Sequence, residues 1–263
     1  MTIFGKLAAV VLTVSAMTTP VMAGPAKTIA SLDLSKPFAT PSPWRFVATQ
    51  EPPVNDTPSG DMEDGLITLC LSKDDGRTCL PQLDMLLLPP GGDAKSDFVQ
   101  PHYIGTPTLV HPADGVVLLR LDVSSLYAAN GDQLRAMALF GYDRTRDVFV
   151  PAYRSVVGHN NNQEIRYVDT GPLRGYVISV EPTQNAPFGY WVTVSQLTGA
   201  TYRDVLHFRS ATRYGDNNQL AVIDAEMPNI QQRLGLWHPG QPLPLPAKGC
   251  ARPHMAKGAL WCS

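Results

Sequence analysis

The chain has 263 residues, 44% hydrophobic and 17% charged, with 21 basic against 23 acidic side chains and a formal net charge of -2. That balance excludes the basic surplus on which nucleic-acid binders depend, and no polybasic run or acidic tail stands out. The length is ample for a real hydrophobic core and suits one large all-β domain or two small ones.

The first element in chain order reads as an export signal over residues 1–23. Lys6 precedes the apolar run LAAVVLTVSAM, and Val21-Met22-Ala23 before Gly24 has the pattern a signal peptidase reads, so cleavage is expected after Ala23. The run is too short for a bilayer of about 30 Å, which takes about 20 helical residues to cross. No cysteine follows the cleavage point. The expected compartment is therefore the periplasm or the exterior of a bacterial cell, without a stable membrane anchor.

Residues 24–60 are rich in Pro, Ser and Thr around the aromatic pair Trp44 and Phe46, and read as an extended lead-in rather than part of the domain. The β-rich domain is expected over 61–240. In VVLLRLDV (116–123), Val117, Leu119, Leu121 and Val123 fall on one face and Arg120 and Asp122 on the other, the signature of a half-buried strand. GYVISVEP groups Tyr176, Ile178 and Val180; GYWVTVSQ groups Tyr190, Val192 and Val194 and turns Trp191 the opposite way. LITLCL, DMLLLP, LRAMALFGY, DVFVPAYRSVV and EIRYVD add further strands. Short strands separated by turns at this spacing indicate an all-β, mostly antiparallel fold: a β-sandwich or irregular barrel, with a propeller-like meander as the alternative. Little helix is expected. The best candidate is TYRDVL (201–206), where Thr201 can cap.

Two segments echo one another. RDVFVPAYRSVVGHNNNQEIRYVD (146–169) and RDVLHFRSATRYGDNNQLAVID (203–224) align at an offset of about 55 residues, and ANGDQLRA (129–136) resembles their centre. Each copy reads as a β-hairpin whose tip uses Gly, Asn and Asp because those residues accept positive φ. Beyond the domain, 241–263 holds the proline-rich QPLPLPAKG and a terminal loop, read as a rigid tail in polyproline-like conformation.

The four cysteines suit an oxidising compartment, and the simplest pairing is local: Cys70 with Cys79 across an Asp75-Gly76 turn, and Cys250 with Cys262. A zinc site on the four thiolates, with His254, is the rival; neither pair has the C-x2-4-C spacing that it needs.

No nucleophile elbow, zinc-protease helix, phosphate loop, dinucleotide glycine fingerprint or EF-hand loop occurs. No cofactor is expected, and the balance leans away from an enzyme. The densest polar stretch, HFRSATRYGDNNQLAVIDAE (207–226), offers Asp224 and Glu226 two apart on one face of an expected strand, with Asp216, Asn217 or Asn218 nearby. Two such carboxylates suit calcium, or acid and base work on a glycosidic bond. The simpler reading pairs them with Arg209 and Arg213 across the hairpin. His159 and His207 are near Ser155 and Ser210, but a serine beside arginine on a strand is commonplace; His102, His111, His238 and His254 show no ligand spacing. The favoured expectation is a binding or inhibitor-like module that meets an envelope protein or glycan through Asn161, Asn162, Asn217, Asn218 and Trp191. A hydrolase of envelope glycans and a structural envelope component are the alternatives.

Overall fold

Leu119, Leu121 and Val123 face one way along their strand and Leu118, Arg120 and Asp122 the other, and both faces are covered. The structure, a computed structural model, describes residues 25–55, 62–79, 83, 101–127, 133–158 and 163–263. In chain order these form β1 (Lys27–Asp33), α1 (Ser35–Phe38), β2 (Arg45–Gln50), β3 (Val54–Asn55), β4 (Met62–Glu63), β5 (Ile67–Ser72), β6 (Tyr103–Ile104), β7 (Thr108–Val110), β8 (Leu118–Ser124) and β9 (Leu134–Asp143). There follow β10 (Val148–Gly158), β11 (Glu164–Tyr167), β12 (Val177–Pro182), β13 (Gly189–Thr198), β14 (Thr201–Arg213), α2 (Val222–Arg233), β15 (His254–Ala256) and β16 (Ala259–Trp261).

The fold is all-β and mostly antiparallel, in several sheets, and the described residues form no closed barrel. The first sheet is β1-β2-β5, the second β10-β9-β8-β6 with β7 also on β8, and the third β11-β12-β13-β14. One core joins Phe46, Leu69 and Leu71 of the first sheet, with Trp44 just before β2, to Leu119, Leu121, Ala138, Phe140 and Phe149 of the second. A second core joins Leu118, Met137 and Leu139 to Tyr167 and Val177 of the third sheet. The far face of the third sheet, with Ile178, Val180, Tyr190, Val192 and Val194, is closed by Val222, Ile223 and Ile230 of α2. Period-two alternation thus feeds a core on each side of β8, β9 and β12, so the architecture is a layered sandwich.

Four expectations are corrected. Residues 27–50 are no lead-in: they form two strands of the first sheet, and Trp44 and Phe46 are 1% and 0% exposed. TYRDVL is the start of β14, because pairing with β13 outweighs a weak local cap. The two echoing segments are not hairpins. β10 and β11 lie in different sheets, while β14 runs into a loop and then α2. LAVIDAE is no strand, since most of it lies in α2. Expected strand DMLLLP and loop residues Asn161, Asn162 and His159 fall outside the described residues.

The first two sheets are also tied by one carboxylate. Asp147 sits at φ 51 in the turn between β9 and β10. It accepts hydrogen bonds from Ser42 Oγ (2.8 Å), Trp44 Nε1 (2.8 Å), Tyr142 OH (2.7 Å) and Lys73 Nζ (2.5 Å). The Lys73 ammonium foremost, then the Tyr142, Trp44 and Ser42 donors, hold its pKa well below the ordinary carboxylate range. Burial, reinforced by the bond to Asp147, pushes the Tyr142 phenol up to about 12.

Both local disulfides, Cys70–Cys79 and Cys250–Cys262, are formed. The second closes the β15–β16 hairpin, which is held to neighbouring elements by Asn229 Nδ2 donating to Gly258 O (2.8 Å) and Asn218 Nδ2 donating to Leu260 O (2.9 Å).

Candidate functional site

The carboxylates singled out from the sequence do not meet. Residues two apart on a helix are about 200° apart around its axis, so Asp224 and Glu226 look away from one another. Asp224 pairs with Arg166 of β11, at 2.5 Å from Nη1 and 3.2 Å from Nη2. The same guanidinium reaches Glu164 Oε2 at 3.3 Å, and Glu164 Oε1 accepts the N–H of Ile223 at 2.8 Å. Glu164 therefore caps α2 from the edge strand of the third sheet. Burial raises its pKa, with Arg166 opposing.

Glu226 is fully buried. Its Oε1 accepts from Thr212 N (2.7 Å) and Thr212 Oγ1 (2.8 Å), and its Oε2 from Asn229 Nδ2 (2.7 Å). Asp216 takes the N–H of Arg213 at 2.9 Å and Lys257 Nζ at 3.2 Å. Each of the three acids is committed to different groups, and among the described residues no set of three His, Cys, Asp or Glu side chains is placed to hold a metal ion. The expected pairing of Arg209 and Arg213 with Asp224 and Glu226 does not form either.

The described part of the Asn-rich tips plays a local role. Asn217 adopts φ 61, and Asn218 is bound to Leu260 O while its Oδ1 accepts from Leu220 N at 3.1 Å. His207 Nδ1 lies 2.9 Å from Thr193 Oγ1, whereas Ser210 Oγ accepts from Tyr190 N and donates to Thr212 O. His207 and Ser210 form no nucleophile–base pair.

Trp191 does emerge, as its odd register on β13 requires. It is 39% exposed and stacks on His207 across the strand pair, with ring centroids 4.8 Å apart and planes 14° from parallel. Close along the chain, the turn between β12 and β13 presents Phe188 (58% exposed) and the end of β14 presents Tyr214 (62%). With Pro182, Thr183, Gly189 and Tyr190 these two rings line a cleft of about 370 Å³. On the other side of Gly189 lies a second cleft of about 630 Å³, lined by Arg209, Arg213, Asp216 and Lys257 beside Ser210 and Pro187. Arg209 Nη2 donates to Asn185 O (2.9 Å) and to Pro187 O, which clamps the turn that carries Phe188. This end of the third sheet, aromatic on one flank and basic on the other, is the candidate site.

Sequence reasoning found Trp191 and missed Phe188, Tyr214 as a lining residue, and the basic cleft. Part of the signal was present: Arg209, Ala211 and Arg213 are two apart along one strand and so share a face. Nothing local foretold Lys257, which the terminal disulfide hairpin brings in.

No family model matches the chain, no curated protein resembles it, and no solved structure matches its fold.

Proposed function

We propose that this protein is an exported, non-catalytic binding module of the bacterial envelope or its surroundings, and that it engages an envelope protein or glycan through the aromatic and basic end of its third sheet. The observation that carries the reading is the exposure of Phe188, Trp191 and Tyr214 at one end of one sheet, beside Arg209 and Arg213. Trp, Tyr and Arg are the residues through which interfaces draw most of their binding energy. Large rings left in water beside a charged rim mark a surface that gains by being covered. Export is supported by the signal pattern of residues 1–23 and by two disulfides, which persist in oxidising compartments.

The test is capture of envelope protein and envelope polysaccharide fractions, assayed separately, by the mature chain and by a Trp191→Ala, Tyr214→Ala double variant. Capture is expected to fall at least about tenfold in one fraction, as loss of interface anchors does. Undiminished capture in both would dismiss this surface.

A further inference from the structure

Resting on that reading of the third sheet's end, we infer that the basic cleft is a binding site for a small ligand bearing an oxyanion: a carboxylate, sulfate or phosphate group. Three cationic side chains, Arg209, Arg213 and Lys257, line it against the single carboxylate of Asp216. Asp216 is already spent on both oxygens, one on the Arg213 N–H and one on Lys257. Those contacts, the Arg213 N–H first, hold its pKa low, so it stays ionised while offsetting one of the three positive charges.

Two of the cations are positioned before any ligand arrives, and the third, Arg213, is left to meet it. Arg209 is anchored through Nη2 to the carbonyls of Asn185 and Pro187, and its Nε and Nη1 have no partner among the described residues. Lys257 is at the turn of the disulfide-closed hairpin, steadied by Asp216 and lying 5.2 Å from the Trp261 ring centroid. The guanidinium of Arg213 makes no hydrogen bond or ion pair among the described residues. Gathering like charges from β14 and the terminal hairpin costs electrostatic energy, which an anion between them repays. A guanidinium fork meets an oxyanion with two parallel hydrogen bonds, and an ammonium adds a point charge. The cleft's volume of about 630 Å³ falls in the range of small-molecule sites, roughly 300–1,000 Å³. The neighbouring aromatic cleft, sharing Gly189, would receive the body to which the anion is attached.

Isothermal titration of the mature chain with sodium sulfate, sodium phosphate, sodium glucuronate and neutral glucose tests this. Saturable binding of at least one anion and none of glucose is expected; which anion binds best identifies the source of the charge. An Arg213→Ala, Lys257→Ala variant should bind it at least tenfold more weakly, a difference of about 1.4 kcal/mol. Both side chains are exposed, so the variant should keep its fold, which its melting temperature verifies. A Lys27→Ala, Lys36→Ala variant removes the same net charge from the first sheet and α1 and should leave binding within about twofold. Absence of saturable binding by all three anions, or equal losses in the two variants, overturns the inference. If anions fail to bind while Trp191→Ala, Tyr214→Ala still abolishes envelope capture, the recognition surface stands and only the oxyanion assignment falls.

Discussion

Replacing Glu226 is the sharpest probe of how this fold is held together. The carboxylate is fully buried, and among the described residues it forms no ion pair; three neutral donors satisfy it instead. Glu226→Ala strands the Thr212 N–H, because Thr212 is itself only 6% exposed. A buried donor without an acceptor costs about 1–3 kcal/mol, and a hydrogen bond to a charged acceptor is worth about 1.5–3 kcal/mol. Asn229 loses less, since its Nδ2 also donates to Gly258 O. The void left by the side chain adds to the loss, while relief from burying an unpaired charge offsets part of it. The net is a destabilisation of about 3 kcal/mol, which for a domain of this size lowers the melting temperature by about 6–12 °C. Glu226→Gln keeps an acceptor for Thr212 but sets one amide NH2 against that of Asn229, so about 1 kcal/mol is expected. Urea unfolding followed by circular dichroism at neutral pH measures both, with the m-value unchanged. An alanine variant within about 0.5 kcal/mol of the wild type, or a glutamine variant as damaging as alanine, refutes the account. Were Glu226 a calcium ligand instead, the loss would appear only in the presence of calcium; a calcium-independent loss is expected.

Three further outcomes follow from the same contacts. Asp147 has a folded pKa below its ordinary value of 3.8, so its contribution is present above that value and is lost as pH falls through the folded pKa; Asp147→Asn should flatten the acid limb of a melting temperature–pH curve, and an unchanged limb would deny the carboxylate its role. Replacing Cys250 and Cys262 by alanine removes a cross-link of sequence separation 12, worth about 2–3 kcal/mol in the chain-entropy model. The terminal hairpin should then be cut by protease before the sheets, and simultaneous digestion would show that it is not a separately held piece. Trp191→Ala removes a ring that faces outward from the third sheet but stacks on His207, so it should cost about 0.5–1.5 kcal/mol; a loss of about 3–5 kcal/mol in thermal unfolding, as for a core aromatic, would mean that the ring belongs to the core.

The alternation of VVLLRLDV, GYVISVEP and GYWVTVSQ was enough to identify strands and one buried face of each, because a strand's period of two is a local property; it did not show that the opposite faces of β8 and β12 are covered as well, burying Leu118 and Val177. The local disulfides were legible for a similar reason: their partners are 9 and 12 residues apart. The nature of α2 was not legible. Ala221, Ile223 and Ala225 alternate as a strand would, the polar residues Glu226 and Gln231 occupy buried positions of the helical stripe, and Pro228 argues against a helix interior. Its start is capped by Glu164, 59 residues away from Ile223, and not by a neighbouring side chain. Misreading α2 also misplaced Asp224 and Glu226 on one face.

By itself, then, the sequence determined which segments alternate and that Trp191 points away from Tyr190, Val192 and Val194, since each depends on neighbours along the chain, and it favoured the local cysteine pairing over the two other connectivities that four cysteines allow. Tertiary structure alone decided that Trp44 and Phe46 are core, that Glu226 is a buried acceptor, and that Arg209, Arg213 and Lys257 line one cleft. Those facts depend on which sheet faces which and on a hairpin arriving from the end of the chain, and burial and charge are properties of that packing rather than of any local pattern.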